Sequence, residues 1–456
     1  MKKFYLFVAI IAVSLTASAE GYQVNNLSAR QEGMAMTGTG MKLNSESLWY
    51  NPAAISMQSE KFDFSFGVSG IVPKIDFKDG DYMTSSNSVL STPLHFYASY
   101  RITDKIAVGL AFNTPHGSSV DWNDNWAGAH LCQDIKLKQF NLQPTFAYRI
   151  TPNFSLGAGL MLTWGNFEMS KSILPVGGTT NAYIEQMAGM PGLAQLIGNN
   201  ALASIEMEGN TTMGIGFNVG AFYDINEKWS VGATYRHNIN LKVNSGSAEL
   251  DFIDNNMLAG AVEAMLASKM GLSEQVLDAS KIKTELPMPG VVSVGASFRP
   301  NKQWEIAADF QYNLWSVYDE LRMYLITPAG EKELTNDVTA KRDYNNSFAI
   351  RIGGQWHALN WLTTRLGTYF DESPVKEGLL NPETPSMSKL GITAGLTFYP
   401  FKSFAIDVAY AHVLPIQGER KDYTSYVDMF SQQIANFGGT YKASANTFAI
   451  GVRYSF

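Results

Sequence analysis

The chain has 456 residues, of which 45% are hydrophobic, 12% aromatic and only 16% charged, with a formal charge of −7 at pH 7. That balance provides no basic surface for nucleic acid, and it is too apolar for a disordered chain yet too interrupted for a helical membrane protein. Cys132 is the single cysteine and the histidines are scattered, so no disulfide framework, metal site or cofactor site is expected.

Lys2 and Lys3 precede the apolar run from Phe4 to Leu15, and Ala17-Ser18-Ala19 supplies a small-residue cleavage site before Glu20. Residues 1–19 therefore read as a signal peptide. The run is too short to cross a hydrocarbon core of roughly 30 Å, and no nearby cysteine offers a lipoprotein anchor. Residues 20–60 do not alternate and are rich in Gly, Asn, Ser and Met; with apolar residues throughout, they predict a plug folded inside a lumen.

From Lys61 onward, apolar residues recur with a period of two. Phe154, Leu156, Ala158, Leu160 and Leu162 share one face, as do Trp304, Ile306, Ala308, Phe310 and Tyr312, and finally Phe448, Ile450, Val452, Tyr454 and Phe456. Interleaved positions are mostly small or polar. A soluble sandwich would expose a charged face, whereas here the second face is small and weakly charged, which suits a lumen with lipid outside. Residues 61–456 are thus predicted to form an all-β, transmembrane barrel of about fourteen antiparallel strands, closed because hydrocarbon leaves no water for sheet edges.

Turns alternate in length. Short ones, such as Thr103-Asp104, Thr151-Pro152-Asn153 and Pro300-Asn301-Lys302, are expected on the periplasmic side with both chain ends. Long ones fall near 114–133, 171–204, 246–284, 319–343, 373–387 and 416–441. Apolar spacings of three and four predict helices within 184–202 and 255–279. Tyr and Trp at segment ends fit two aromatic girdles.

The blocks Gly21-Tyr22-Gln23-Val24-Asn25, Ser28-Ala29-Arg30, Gly38-Thr39-Gly40 and Asn51-Pro52-Ala53-Ala54 resemble the start of the mature FadL/TodX family of outer-membrane transporters for fatty acids and hydrocarbons. Asn113-Thr114-Pro115-His116-Gly117 with Trp122 and Trp126, Trp315 to Leu321, Arg365-Leu366-Gly367, Asp371 to Val375 and Arg453-Tyr454-Ser455-Phe456 continue the resemblance in the same order. It implies a fourteen-stranded barrel plugged by an N-terminal hatch, an outer-loop groove that includes Trp122 and Trp126, and lateral release near the third strand. Pro115 and Gly117 stand where that strand ends; they either open the wall or merely end the strand. Tyr22 replaces the phenylalanine more usual in the family and adds a hydroxyl to the expected ligand pocket.

Passive uptake of long-chain fatty acids or other hydrophobic compounds is the expected function, with a porin-like channel for small polar solutes as the alternative. A carboxylate head group needs a cation, and inward Arg365, Arg351 and Arg453 are the candidates; they could equally pair with Glu305, Asp309 and Asp407 to brace the lumen. Asn51, Pro52 and Ala53 are read as a hatch element or a plain turn. Tyr454 and Phe456 resemble the signal that barrel-assembly machinery reads. Ser293 and Ser297 face inward without a histidine placed beside them, so an enzyme is not expected. The remaining expected partner is outer-membrane lipid, and the barrel is expected to act as a monomer.

Overall fold

The computed structural model describes residues 21–335, 337–416, 418–428 and 433–456, so the expected signal peptide at 1–19 lies outside the described residues. Among the described residues, fourteen wall strands form a closed antiparallel barrel. In chain order they are β1 (Phe62–Asp79), β2 (Leu94–Arg101), β3 (Ile106–Asn113), β4 (Asp134–Thr151), β5 (Phe154–Ser172), β6 (Gly214–Asp224) and β7 (Trp229–Arg236). The circuit continues through β8 (Gly290–Phe298), β9 (Trp304–Leu314), β10 (Ser347–Leu359), β11 (Leu362–Asp371), β12 (Lys389–Phe401), β13 (Phe404–Pro415) and β14 (Ile434–Ser455). The seam runs from Asp63 opposite Ser455 to Lys78 opposite Thr440, and it leaves no edge to be solvated in lipid.

The alternating faces fall as the sequence requires. Ile215, Phe217 and Val219 on β6 are exposed, as are Phe448, Ile450 and Tyr454 on β14, while Asn218 and Thr447 on the opposite faces are buried. A girdle of Tyr148, Tyr223, Trp229, Trp304, Trp356 and Trp361 marks the end with the short turns.

Outside the bilayer the loops are more structured than expected. Besides helices at Gly178–Ala188, Leu193–Ile197, Asn256–Met270 and Glu274–Asp278, they carry strands Ala203–Asn210, Ile239–Phe252 and Lys281–Met288, which extend the wall outward. Pattern reading took parts of these strands, within 171–204 and 246–284, for loops, although burial alternates along all three.

The lumen holds residues 21–57. Helices α1 (Ala29–Glu32) and α2 (Ser47–Tyr50), with 3-10 turns at Asn44–Glu46 and Pro52–Met57, bury Leu27, Met34, Met41, Leu43, Leu48 and Ile55 completely. Such filling is the reverse of a water-filled pore. Backbone meets backbone at inward glycines: a Cβ at Gly232 would collide with the Thr39 carbonyl oxygen and Asn51 Nδ2, and one at Gly353 with the Met34 carbonyl oxygen. Carboxylates supply the polar fastening. Asp309 accepts from the Gly38 and Thr39 amides at 2.7 and 2.9 Å, and Glu46 accepts from the Ser28 and Ser65 hydroxyls at 2.7 and 3.2 Å.

Gly232→Val is therefore expected to leave a closed barrel, seen as retained heat-modifiable migration on gels, while new protease cleavage between residues 29 and 57 reports a dislodged lumen segment.

Candidate functional site

The wall is uneven at one place. β1 and β4 are each 18 residues long, but the β2 and β3 hairpin between them has strands of only 8. Pairing of β1 with β2 stops at Val68 opposite Leu94, and pairing of β3 with β4 stops at Asn113 opposite Asn141. Above the hairpin the chain only borders a gap. Ser91 bridges back to Ile71 on β1, and Gly117–Asp121 lies along β4, Gly117 opposite Lys138. The gap is closed below by the Leu94 amide donating to Thr114 Oγ1 at 3.0 Å, and above by the Asn87 amide donating to the Asp121 carbonyl at 2.7 Å.

A cavity of about 410 Å³ occupies this gap, within the roughly 300–1,000 Å³ usual for small-ligand sites. Its lining joins inward Ile71, Ile75, Val413 and Ala445 to outward Leu94, Lys138 and Phe140, so it passes through the wall. Leu90 stands exposed at its rim.

The leading segment forms its inner border. The Val24 amide donates to the Pro115 carbonyl at 2.8 Å, and the Gly117 amide donates to the Tyr22 carbonyl at 2.8 Å, an antiparallel bridge between Gln23 and His116. Proline supplies no amide at 115, so the wall strand ends and its carbonyl is left to the plug. Pro115 and Gly117, singled out in sequence, thus meet the segment carrying Tyr22. Tyr22 itself points away from the cavity: its hydroxyl donates to the Pro287 carbonyl at 3.0 Å, and its ring lies edge-on to Trp315 at 5.1 Å.

Asn51 is the hub of the deeper plug. Its Oδ1 accepts from the Ala53 amide at 3.2 Å and so caps the 3-10 turn that Pro52 begins, while Nδ2 donates to the carbonyls of Thr39 at 2.9 Å and Ala221 at 3.0 Å. One side chain ties two plug segments to β6.

None of the three arginines lines the cavity. Arg453 Nε donates to Asp407 Oδ2 at 2.7 Å, and Arg365 lies 3.7 Å from Asp407 Oδ1, so two guanidiniums share one buried carboxylate near the short-turn end. Arg351 donates to Gln311 at 2.6 Å and pairs with Asp371 at 3.3 Å. Asp407 and Asp371 pair with these arginines, while Glu305 accepts from Ser297 and Gln355, and Asp309 from the plug amides. The cations that do line the cavity are Lys389, Lys136 and Lys138, none of which was singled out in the sequence. Lys389 Nζ lies 3.5 Å from Asp371, the same carboxylate that Arg351 uses.

The outer lobe roofs the site. Trp122 and Trp126 stack at 4.4 Å, and each indole N–H is bonded, to the carbonyls of Pro382 at 3.1 Å and Cys132 at 2.7 Å. Both are fully buried, so they hold the roof together and do not form an open groove. The 373–388 loop, whose Thr384, Pro385 and Ser386 line the cavity, is fixed by a buried Arg342 and Glu383 pair at 2.7 Å. Although burial opposes a charge there, the Glu383 carboxylate holds the Arg342 guanidinium protonated. Tyr454 and Phe456 face lipid at the seam, where the Phe62 amide donates to the Phe456 carbonyl at 2.9 Å. Among the described residues, no cluster of His, Cys, Asp and Glu could hold a metal ion.

The sequence pattern of the outer membrane protein transport protein family (OMPP1/FadL/TodX) matches residues 10–456. A long-chain fatty acid transport protein of Escherichia coli O6:H1 is 25% identical over 445 residues, covering 92% of each chain. Outer membrane protein P1 of Haemophilus influenzae is 20% identical, with both chains covered completely. Among solved structures, a Pseudomonas aeruginosa FadL homologue superposes with a TM-score of 0.76 at 20% identity, covering 96% of this chain and 100% of that one. The Pseudomonas putida toluene transporter TodX gives 0.67 at 16% identity, with 96% and 99% covered. At these identities the structural likeness speaks for the fold.

The Gln23 and His116 pair is bracketed by its hydrogen bonds, the register in which Cα atoms lie near 4.5 Å. A Gln23→Cys, His116→Cys double variant is expected to form a disulfide under mild oxidation, read by mass spectrometry of the intact chain. Cys132 should not interfere, since it is buried and burial pushes its thiol well above the usual range.

Proposed function

Because this chain belongs to the OMPP1/FadL/TodX family of outer-membrane transport proteins, we propose that it takes up long-chain fatty acids or similar hydrophobic compounds and releases them sideways through the wall above the β2 and β3 hairpin. It is an outer-membrane transporter and not an enzyme. The observation that carries the proposal is the cavity whose lining runs from lumen-facing Ile71 and Val413 to lipid-facing Leu94 and Phe140.

The energetics favour a dry route. Each methylene leaving water gains roughly 0.8 kcal/mol, so a chain of about fifteen gains on the order of 12 kcal/mol in an apolar passage, which an aqueous pore cannot supply. A sideways exit spares the chain from re-entering water on the periplasmic side.

Residues 20–60 act as the hatch. Asn51, Pro52 and Ala53 keep its lower part against β6, and the Tyr22 to Val24 segment is the part that yields, held by two backbone bonds to Pro115 and Gly117 and by the Tyr22 hydroxyl bond to Pro287. Lys389 receives the carboxylate: its ammonium lines the apolar cavity and lies 3.5 Å from Asp371. Arg365 and Arg453 brace Asp407, and Arg351 positions Asp371. Tyr22 and the two buried tryptophans shape the roof above the ligand.

The partners are the ligand, outer-membrane lipid, and barrel-assembly machinery that would read outward Tyr454 and Phe456. One chain suffices as the transporting unit, because cavity, hatch and exit all belong to it.

Lys389→Gln is expected to weaken palmitate binding about tenfold and leave binding of an alkane of the same length unchanged, as measured by tryptophan fluorescence titration. Equal losses for both ligands would overturn the carboxylate assignment. In cells, oxidation of the Gln23→Cys, His116→Cys variant is expected to stop palmitate uptake and reduction to restore it; uptake unaffected by the crosslink would rule out the yielding segment.

A further inference from the structure

The outer face of β4 changes character at the level of the gap. Pro144, Leu142 and Phe140 point to lipid and are followed on the same face by Lys138 and Lys136. Phe140 lies 6.1 Å from Phe112 on β3 and 6.0 Å from Trp164 on β5, and Phe112 lies 6.3 Å from Trp164. These three rings make a compact apolar patch immediately below the lysines, and Lys138 and Phe140 also line the cavity.

The two lysines are not equivalent. Lys136 is engaged by Asp134 at 3.4 Å and Glu168 at 3.5 Å. Lys138 faces Asn166 across β5 and Gly117 on the other side, and no acid among the described residues pairs with it. Glycine at 117 leaves no side chain to cover the ammonium. An uncompensated ammonium at the upper border of the apolar band keeps its stem along the rings and its charge in the head-group layer, where it attracts an anion.

We propose that Lys138, with the Phe112, Phe140 and Trp164 patch, is a landing site on the lipid side of the exit, which takes the carboxylate of an emerging single-chain acid while its hydrocarbon chain settles on the rings. The proposal rests on the sideways-release reading. It adds a selective step after the gap: acids are handed to the membrane head first at Lys138, whereas neutral hydrocarbons pass without that contact. The occupant is the transported acid, and not resident lipid, because the site continues the cavity lining.

The test uses the full chain in phosphatidylcholine vesicles with a palmitate that carries a diazirine beside its carboxyl group. Illumination is expected to label β4 around Lys138 and, separately, the cavity around Ile71 and Lys389. Lys138→Gln is expected to lower the β4 label about fivefold relative to the label at Ile71 and Lys389, and Lys138→Arg to restore it. The methyl ester should label the cavity and spare β4. A β4 label equal in wild type and Lys138→Gln would overturn the landing site and leave the uptake reading standing, whereas no label in the cavity would defeat both. Loss of the β4 label alone on adding phosphatidylglycerol would make Lys138 a lipid head-group site and overturn the proposed occupant.

Discussion

Hydrocarbon offers backbone amides no water, so every wall strand must find its partners in the chain, and the seam between β1 and β14 is where that requirement is met. Once the cylinder is sealed, outward positions must be apolar and inward ones must fit a confined space. Small residues on the inner face then let the plug's backbone lie directly on the wall, as at Gly232 and Gly353. Closure, lipid-facing band and filled lumen are three results of one constraint.

The gap above the β2 and β3 hairpin is where the constraint is relaxed. Short strands withdraw from the ladder, yet the freed groups are satisfied locally: Ser91 bonds to Ile71, Gly117–Asp121 pairs with β4, and the Pro115 carbonyl accepts from Val24. An interruption of the wall is tolerable because the plug's leading segment supplies part of the missing pairing. Opening and plug are therefore linked through the same hydrogen bonds, and a cavity that spans the wall can exist without stranding backbone groups in lipid.

The cylinder was legible in the sequence because alternation reports which way a side chain faces, and Phe448 to Phe456 or Trp304 to Tyr312 report it clearly. Height along the barrel and the identity of a partner leave no such trace. Arg351, Arg365 and Arg453 do face inward, but the carboxylates beside them, Asp371 from β11 and Asp407 from β13, come from other strands. The partner of Trp122 is the carbonyl of Pro382, 260 residues away, so nothing local marks that indole as roof packing. Lys138 and Lys389 look ordinary because lysine is common where strands leave a membrane; only the missing hairpin length beside one and the shared carboxylate beside the other set them apart.

The seam also has a kinetic side. Ser455 donates to Asp63 across a separation of 392 residues, so the contact that seals the tube is among the most distant in the chain and its loop closure is correspondingly slow. Until it forms, β1 and β14 each present a long open edge ready to pair with any other strand. A sealing failure would therefore appear as intermolecular sheet, with little sign of a loosened core.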